Sequence, residues 1–112
     1  METRPMTFAW GGPDRDVIAV IPRWIDGFGG ALLDDDDDVD VAVYRVLDEN
    51  EEATGEIVGI EIIDFLEFDR WKIIPELSVQ WSINDGPSQS PKAALRALQR
   101  ELRARVSLAH AS

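Results

Sequence analysis

Cysteine is absent, and histidine occurs once, as His110. Disulfides, thiol catalysis and cysteine-rich zinc sites are therefore excluded, and the fold must rest on packing alone. A catalytic triad needs a base held rigidly beside its nucleophile, which a histidine in a fraying terminal segment does not provide; His110 is expected at the surface. Apolar runs stay at about ten residues or fewer, short of the ~20 that a membrane helix needs. The opening Met1-Glu2-Thr3-Arg4-Pro5 lacks the basic-then-apolar pattern of a signal peptide. These absences point to a cytoplasmic protein with no membrane contact. Basic residues are also scarce, but unevenly so. Residues 1–90 hold 21 Asp/Glu against 6 Lys/Arg, a net of −15, whereas residues 91–112 hold 5 Lys/Arg against Glu101 alone. Such a split offers two surfaces of opposite sign. The overall charge of −11 disfavours nucleic acid phosphates and anionic membranes, with the C-terminal segment as the exception.

What is present is apolar enough to fold. Hydrophobic residues make up 45% of the 112 and include four tryptophans, which argues for one ordered domain over 1–112. Met6 to Trp10 is an apolar stretch ended by the turn signal Gly11-Gly12-Pro13-Asp14, and Asp16–Ile21 is a strand stopped by Pro22. These form a first hairpin. The segment Ile25–Gly30 is too rich in glycine for an element interior. Val39–Leu47 and Ile57–Ile63 form a second hairpin around a polar loop at 48–56. Along the first of these strands Val39, Val41 and Val43 point one way, and Asp40, Ala42, Tyr44 and Val46 the other. Neither strand has a clean polar face, so the sheet is expected to be covered on both sides.

Asp64-Phe-Leu-Glu67 has the spacing of a capping box and predicts a short helix over 65–72. Leu77–Ile83 alternates strictly, with Leu77, Val79, Trp81 and Ile83 on one face, as an edge strand would. Ser90 and Pro91 suit the N-cap and first position of a last helix, with Leu95, Leu98, Leu102, Val106 and Ala109 as its apolar stripe. Arg96, Arg100, Arg103 and Arg105 lie off that stripe and should reach acids of the same chain. The expected architecture is α+β, an antiparallel β-meander of about five strands. Its sheet core spans about 6–83, followed by a short helix within it and a C-terminal amphipathic helix over about 91–109.

Two of these stretches carry a resemblance. Phe8-Ala-Trp10-Gly-Gly-Pro-Asp14-Arg-Asp16-Val-Ile-Ala-Val20 resembles the opening tyrosine-aspartate-proline-x-x-aspartate-x-x-tyrosine-isoleucine motif of a small bacterial family, domain of unknown function 2283. Glu56-Ile-Val-Gly-Ile-Glu-Ile-Ile63 resembles that family's closing valine-glycine-isoleucine-glutamate-isoleucine-leucine strand. The resemblance covers about residues 6–66. Trp10 stands where tyrosine is usual, Gly11 replaces the following aspartate, and Ala19-Val20 replaces tyrosine-isoleucine. It implies a compact antiparallel meander, and an antitoxin-like role, since some members are encoded beside small toxins.

No motif for chemistry emerges. The run Asp34, Asp35, Asp36, Asp37, Asp38, followed by Asp40, is rich in carboxylates. Counted from Asp34, however, the glycine and acid positions of an EF-hand loop hold Val39 and Arg45. A solvated or partner-facing loop is expected, with no bound metal and no cofactor. Gly27-Phe-Gly-Gly30 lacks the lysine and spacing of a phosphate loop. Glu61, on an otherwise apolar strand, is expected to face solvent or to pair with Arg45. Two or three tryptophans belong in the core, and Trp24 is the expected exposed one.

The reading that fits is a non-enzymatic, acidic protein that binds a basic protein partner and forms a homodimer. Its partner-binding residues would be Asp34–Asp38, Asp40, Glu49, Glu51, Glu52 and Trp24, with no direct contact to nucleic acid. The alternatives are a nucleic-acid-mimicking inhibitor of a host or defence protein, and a small metal-binding protein or enzyme.

Overall fold

A computed structural model describes residues 2–23, 27–32 and 40–110. Among the described residues, six strands form one sheet: β1 (Thr3–Trp10), β2 (Val17–Pro22), β3 (Phe28–Leu32), β4 (Val41–Leu47), β5 (Ala53–Ile63) and β6 (Gln80–Ile83). They lie in the order β3-β4-β5-β2-β1-β6, and a single helix, α1 (Pro91–His110), follows. The α+β class is as expected. The purely antiparallel meander of five strands is not: β6 runs parallel to β1, so the sheet is mixed.

Both expected hairpins form. Met6 faces Pro22 and Trp10 faces Ile18 across β1 and β2, while Val41 faces Ile62 and Val43 faces Ile60 across β4 and β5. The sequence order breaks where β5 pairs with β2, which brings the hairpins side by side. The sixth strand is β3, on the glycine-rich segment. Its backbone pairs with β4, and the Phe28 ring meets Tyr44 edge-on at 5.7 Å. Pairing with a β-branched neighbour outweighs the weak strand preference of Gly29 and Gly30. β5 starts earlier than expected, at Ala53, because Thr54 Oγ1 donates to the Val46 carbonyl at 2.8 Å. The polar connection thus shrinks to 48–52.

The helix predicted over 65–72 is two 3-10 turns instead, Phe65–Glu67 and Trp71–Ile73. Asp64 sits in the left-handed region (φ 54°) and its side chain caps nothing. The Leu66 N–H donates to Asp16 Oδ2 at 2.8 Å, the Glu67 N–H that a capping box would take reaches the Asp64 carbonyl instead, and the other oxygen of Asp16 accepts from the Trp10 indole. Asp16 therefore ties β1 and β2 to the 65–67 turn. The connection over 64–79 carries Phe65, Phe68 and Ile74 into the core before reaching the far edge of the sheet.

The core lies on one face. Met6, Ile18, Val20, Val41, Val43, Ile60 and Ile62 from the strands meet Leu95, Leu98 and Leu102 of α1. Ser90 caps the helix as expected, its Oγ accepting from the Ala93 N–H at 3.2 Å. Gln99 is also buried, and its amide donates to the carbonyls of Phe65 and Phe68 at 2.7 and 2.8 Å. Arg103 Nε donates to the carbonyl between them, Leu66, at 2.7 Å. Short 3-10 turns leave carbonyls without helical partners, and α1 supplies the donors. Trp81 is buried in the same core, while Trp10 and Trp71 are partly buried against it; Trp24 lies outside the described residues. The Trp81 indole N–H has no hydrogen-bond partner among the described residues.

The opposite face differs from the expectation of a sheet covered twice. Ala9, Ala19, Glu61 and Ala42 face one another in a row across β1, β2, β5 and β4. No element of the described residues lies over them, and Ile63 on β5 is 40% exposed. The two edges are also unequal. β6 exchanges hydrogen bonds between Trp81 and Gln89 (2.7 and 3.0 Å), which closes its outer side.

Candidate functional site

Of the acidic residues singled out in the sequence, the described ones, Asp40 and Glu49, Glu51 and Glu52, fall in two separate places. The turn between β4 and β5 holds three of them. Asp48 organises it: its Oδ1 accepts from the N–H groups of Asn50 and Glu52, both at 2.9 Å, and its own N–H donates to the Glu52 carbonyl. Glu51 takes a left-handed backbone (φ 61°) that closes the loop. With the backbone satisfied by Asp48, the carboxylates of Glu49, Glu51 and Glu52 stand exposed, with no partner among the described residues. Asp48 is the residue that sequence reasoning missed. An aspartate at the start of a polar turn is an Asx-turn signal, and it was there to be read.

Asp40 lies at the other end of β4, roughly 20 Å away along the strand. There its carbonyl accepts from the Ile63 N–H, and its Oδ2 pairs with Arg70 at 3.1 Å. Asp40 thus makes a link within the fold, between the start of β4 and the connection that carries Arg70. Asp34–Asp38 and Trp24 lie outside the described residues.

Glu61 does not pair with Arg45. Its Oε2 accepts from the Tyr44 hydroxyl at 2.7 Å, and Arg45 donates to the Gly55 carbonyl at 3.2 Å. The Tyr44 ring crosses the face at Gly59, where an added Cβ would sit 3.2 Å from the ring and 2.5 Å from the Val20 carbonyl oxygen. Burial of the phenol, reinforced by the bond to Glu61, pushes its pKa up to about 12. The register explains the miss. Glu61 faces Ala42, and Tyr44 is the next residue along the same face of β4, whereas Arg45 pairs with Ile57 beyond a register shift.

The arginines of α1 also depart from expectation. Among the described residues, only Arg105 of these reaches an acid, Glu101, one turn away on the same helix at 2.7 Å. Arg103 bonds a carbonyl, Arg96 lies 5.5 Å over the Trp71 ring, and Arg100 has no partner among the described residues. Among the described residues, no group of three or more His, Asp or Glu side chains is placed to hold a metal ion, and no helix is long and apolar enough to cross a membrane. Compared with protein-family models, with curated proteins and with solved structures, the chain matches none.

Proposed function

We propose that this is a non-enzymatic, cytoplasmic partner-binding protein, antitoxin-like or regulatory, whose acidic turn at 48–52 engages a basic protein. The observation that carries the reading is the turn itself. Its backbone is satisfied by Asp48, and three glutamates face solvent from a loop already in one conformation. Prior ordering lowers the entropy lost on binding, and concentrated negative charge speeds encounter with a basic surface. The run Asp34–Asp38 adds to the net negative charge of the chain. The test compares the natural chain with a Glu49→Gln/Glu51→Gln/Glu52→Gln variant in co-purification from native lysate at low and high salt. A basic protein should be retained by the natural chain at low salt, released by salt and lost from the variant. Equal retention by both proteins would discard the reading.

The proposal includes a homodimer through the open sheet face. That face is small and apolar, with Ala9, Ala19, Ala42 and Ile63 around the Tyr44–Glu61 pair. Five strands at ~4.8 Å spacing, each contributing about 20 Å of length, give roughly 500 Å² per copy. Two copies would bury about 1,000 Å², the lower bound for a specific interface. Ala19→Arg should convert a dimer to a monomer by light scattering, and a monomer mass for the natural chain at high concentration would remove this part.

A further inference from the structure

The basic character of α1 is gathered into a groove with an aromatic floor. The 3-10 turns place Phe68 and Trp71 beside the helix, and a cleft of about 300 Å³ opens between them and Arg96, Arg100 and Arg103, with Asp69 at its rim. Three cations against one acid make this a local reversal of sign on a chain of net charge −11. The cations are not loose. Arg96 is stacked on Trp71, and Arg103 is tied through Nε to the Leu66 carbonyl, so its two terminal nitrogens stay available. Arg100 stands between them in the helix with no partner among the described residues.

We propose that this groove binds an acidic peptide segment of a partner protein, with carboxylates spaced three and four residues apart. The spacing argument is geometric. Positions 96, 100 and 103 rise by about 6 and 4.5 Å along the helix, the separations of acids at i, i+4 and i+7 on a second helix. Guanidinium forks bind carboxylates in pairs, and a fork already oriented loses less freedom on binding. Nucleic acid fits less well. Binding single strands uses bare ring faces on which bases stack. Here one face of Trp71 carries Arg96, and its ring meets Phe68 edge-on at 5.0 Å. The cationic track is only about 10 Å long, room for roughly three phosphates of one strand. The surrounding acidic surface repels a long polyanion more than a short peptide.

The groove lies at the Asp40–Arg70 end of β4, away from the acidic turn at 48–52. The inference therefore stands independently of the basic partner proposed above.

The experiment is fluorescence anisotropy at low salt with a labelled alanine-based peptide bearing glutamates at i, i+4 and i+7. Three competitors accompany it: the same peptide with glutamines, an oligothymidylate of equal charge, and a peptide of residues 33–40 of this chain. The glutamate peptide should bind, the glutamine peptide should not, and Arg100→Gln should weaken binding by about three- to tenfold. Arg96→Gln/Arg100→Gln should weaken it further. Arg100→Gln removes no contact within the fold, so it remains informative if the double variant unfolds. Failure of the glutamate peptide to bind, or equal binding to the Arg100→Gln protein, would overturn the proposal. Tighter binding of the oligothymidylate would reassign the groove to nucleic acid, and tighter binding of the 33–40 peptide would reassign it to a second copy of this chain.

Discussion

The two faces of the sheet come from the same strands, yet only one has become a core. On the covered face the alternate positions are large and branched: Ile18, Val20, Val41, Val43, Ile60 and Ile62, all packed under α1. On the open face the intervening positions are Ala9, Ala19, Ala42 and Gly59, with Tyr44 and Glu61 joined by a hydrogen bond. Both faces are apolar by residue type. They differ in how much surface each side chain can bury, and burial rather than type sets the stabilisation. An alanine row leaves little to gain from a covering element of the same chain.

Charge in the covered interface should produce the largest effect. Leu98→Asp or Leu102→Asp places an unpaired carboxylate where the leucine is at most 5% exposed. That should cost several kcal/mol, enough to abolish cooperative unfolding by circular dichroism. A folded Leu98→Asp protein would show that α1 is not part of the core.

Next comes the polar clamp on that face. Gln99→Leu leaves the Phe68 carbonyl without its side-chain donor and the Phe65 carbonyl with the Phe68 N–H alone, at an expected cost of about 1–3 kcal/mol in denaturant unfolding. A loss below 1 kcal/mol would mean that water replaces the amide readily. On the open face the sensitive position is the smallest residue. Gly59→Ala forces a methyl to 2.5 Å from the Val20 carbonyl oxygen and 3.2 Å from Tyr44. It should destabilise by roughly 1–3 kcal/mol, whereas Ala42→Ser beside it should stay within about 0.5 kcal/mol. Equal effects at the two positions would remove the distinction between them.

The smallest effect is a titration. Tyr44 is the single tyrosine of the chain, so near-ultraviolet absorbance reads it alone. Its folded pKa of about 12 lies above the ordinary 10. The neutral phenol is favoured in the folded state, so this contribution to stability is complete below pH 10 and is lost as pH rises from 10 through 12. Glu61→Gln should lower the midpoint while leaving it above 10, because burial is the larger cause. A midpoint at 10 in the native chain would place Tyr44 in solvent.

Much of the covered half was legible because it depends on local spacing. The α1 stripe of Leu95, Leu98 and Leu102, the Ser90 cap and the alternation of Val41 and Val43 follow from the periods of helix and strand. The open half was less so. β3 depends on a partner strand for its pairing, and the partner of Glu61 depends on the register of β5 against β4. The ion pair of Asp40 depends on an arginine thirty residues away. Each of these is a choice between neighbours remote in sequence, which no window along the chain contains.

By itself, then, the chain determined the alternation of the two hairpins and the helix that begins at Pro91. It also determined that no thiol chemistry is possible and that positive charge concentrates at the end. These are properties of composition and period, and they hold in any compact arrangement. Only the tertiary structure decided that β5 lies beside β2, that β6 runs parallel to β1, and that Leu66 is capped by Asp16 rather than Asp64. It alone set the arginines of α1 around Trp71 instead of against the acids of the sheet. The reason is competition. Each donor and each apolar face has several partners of similar energy, and the choice falls to the arrangement that satisfies the most of them at once.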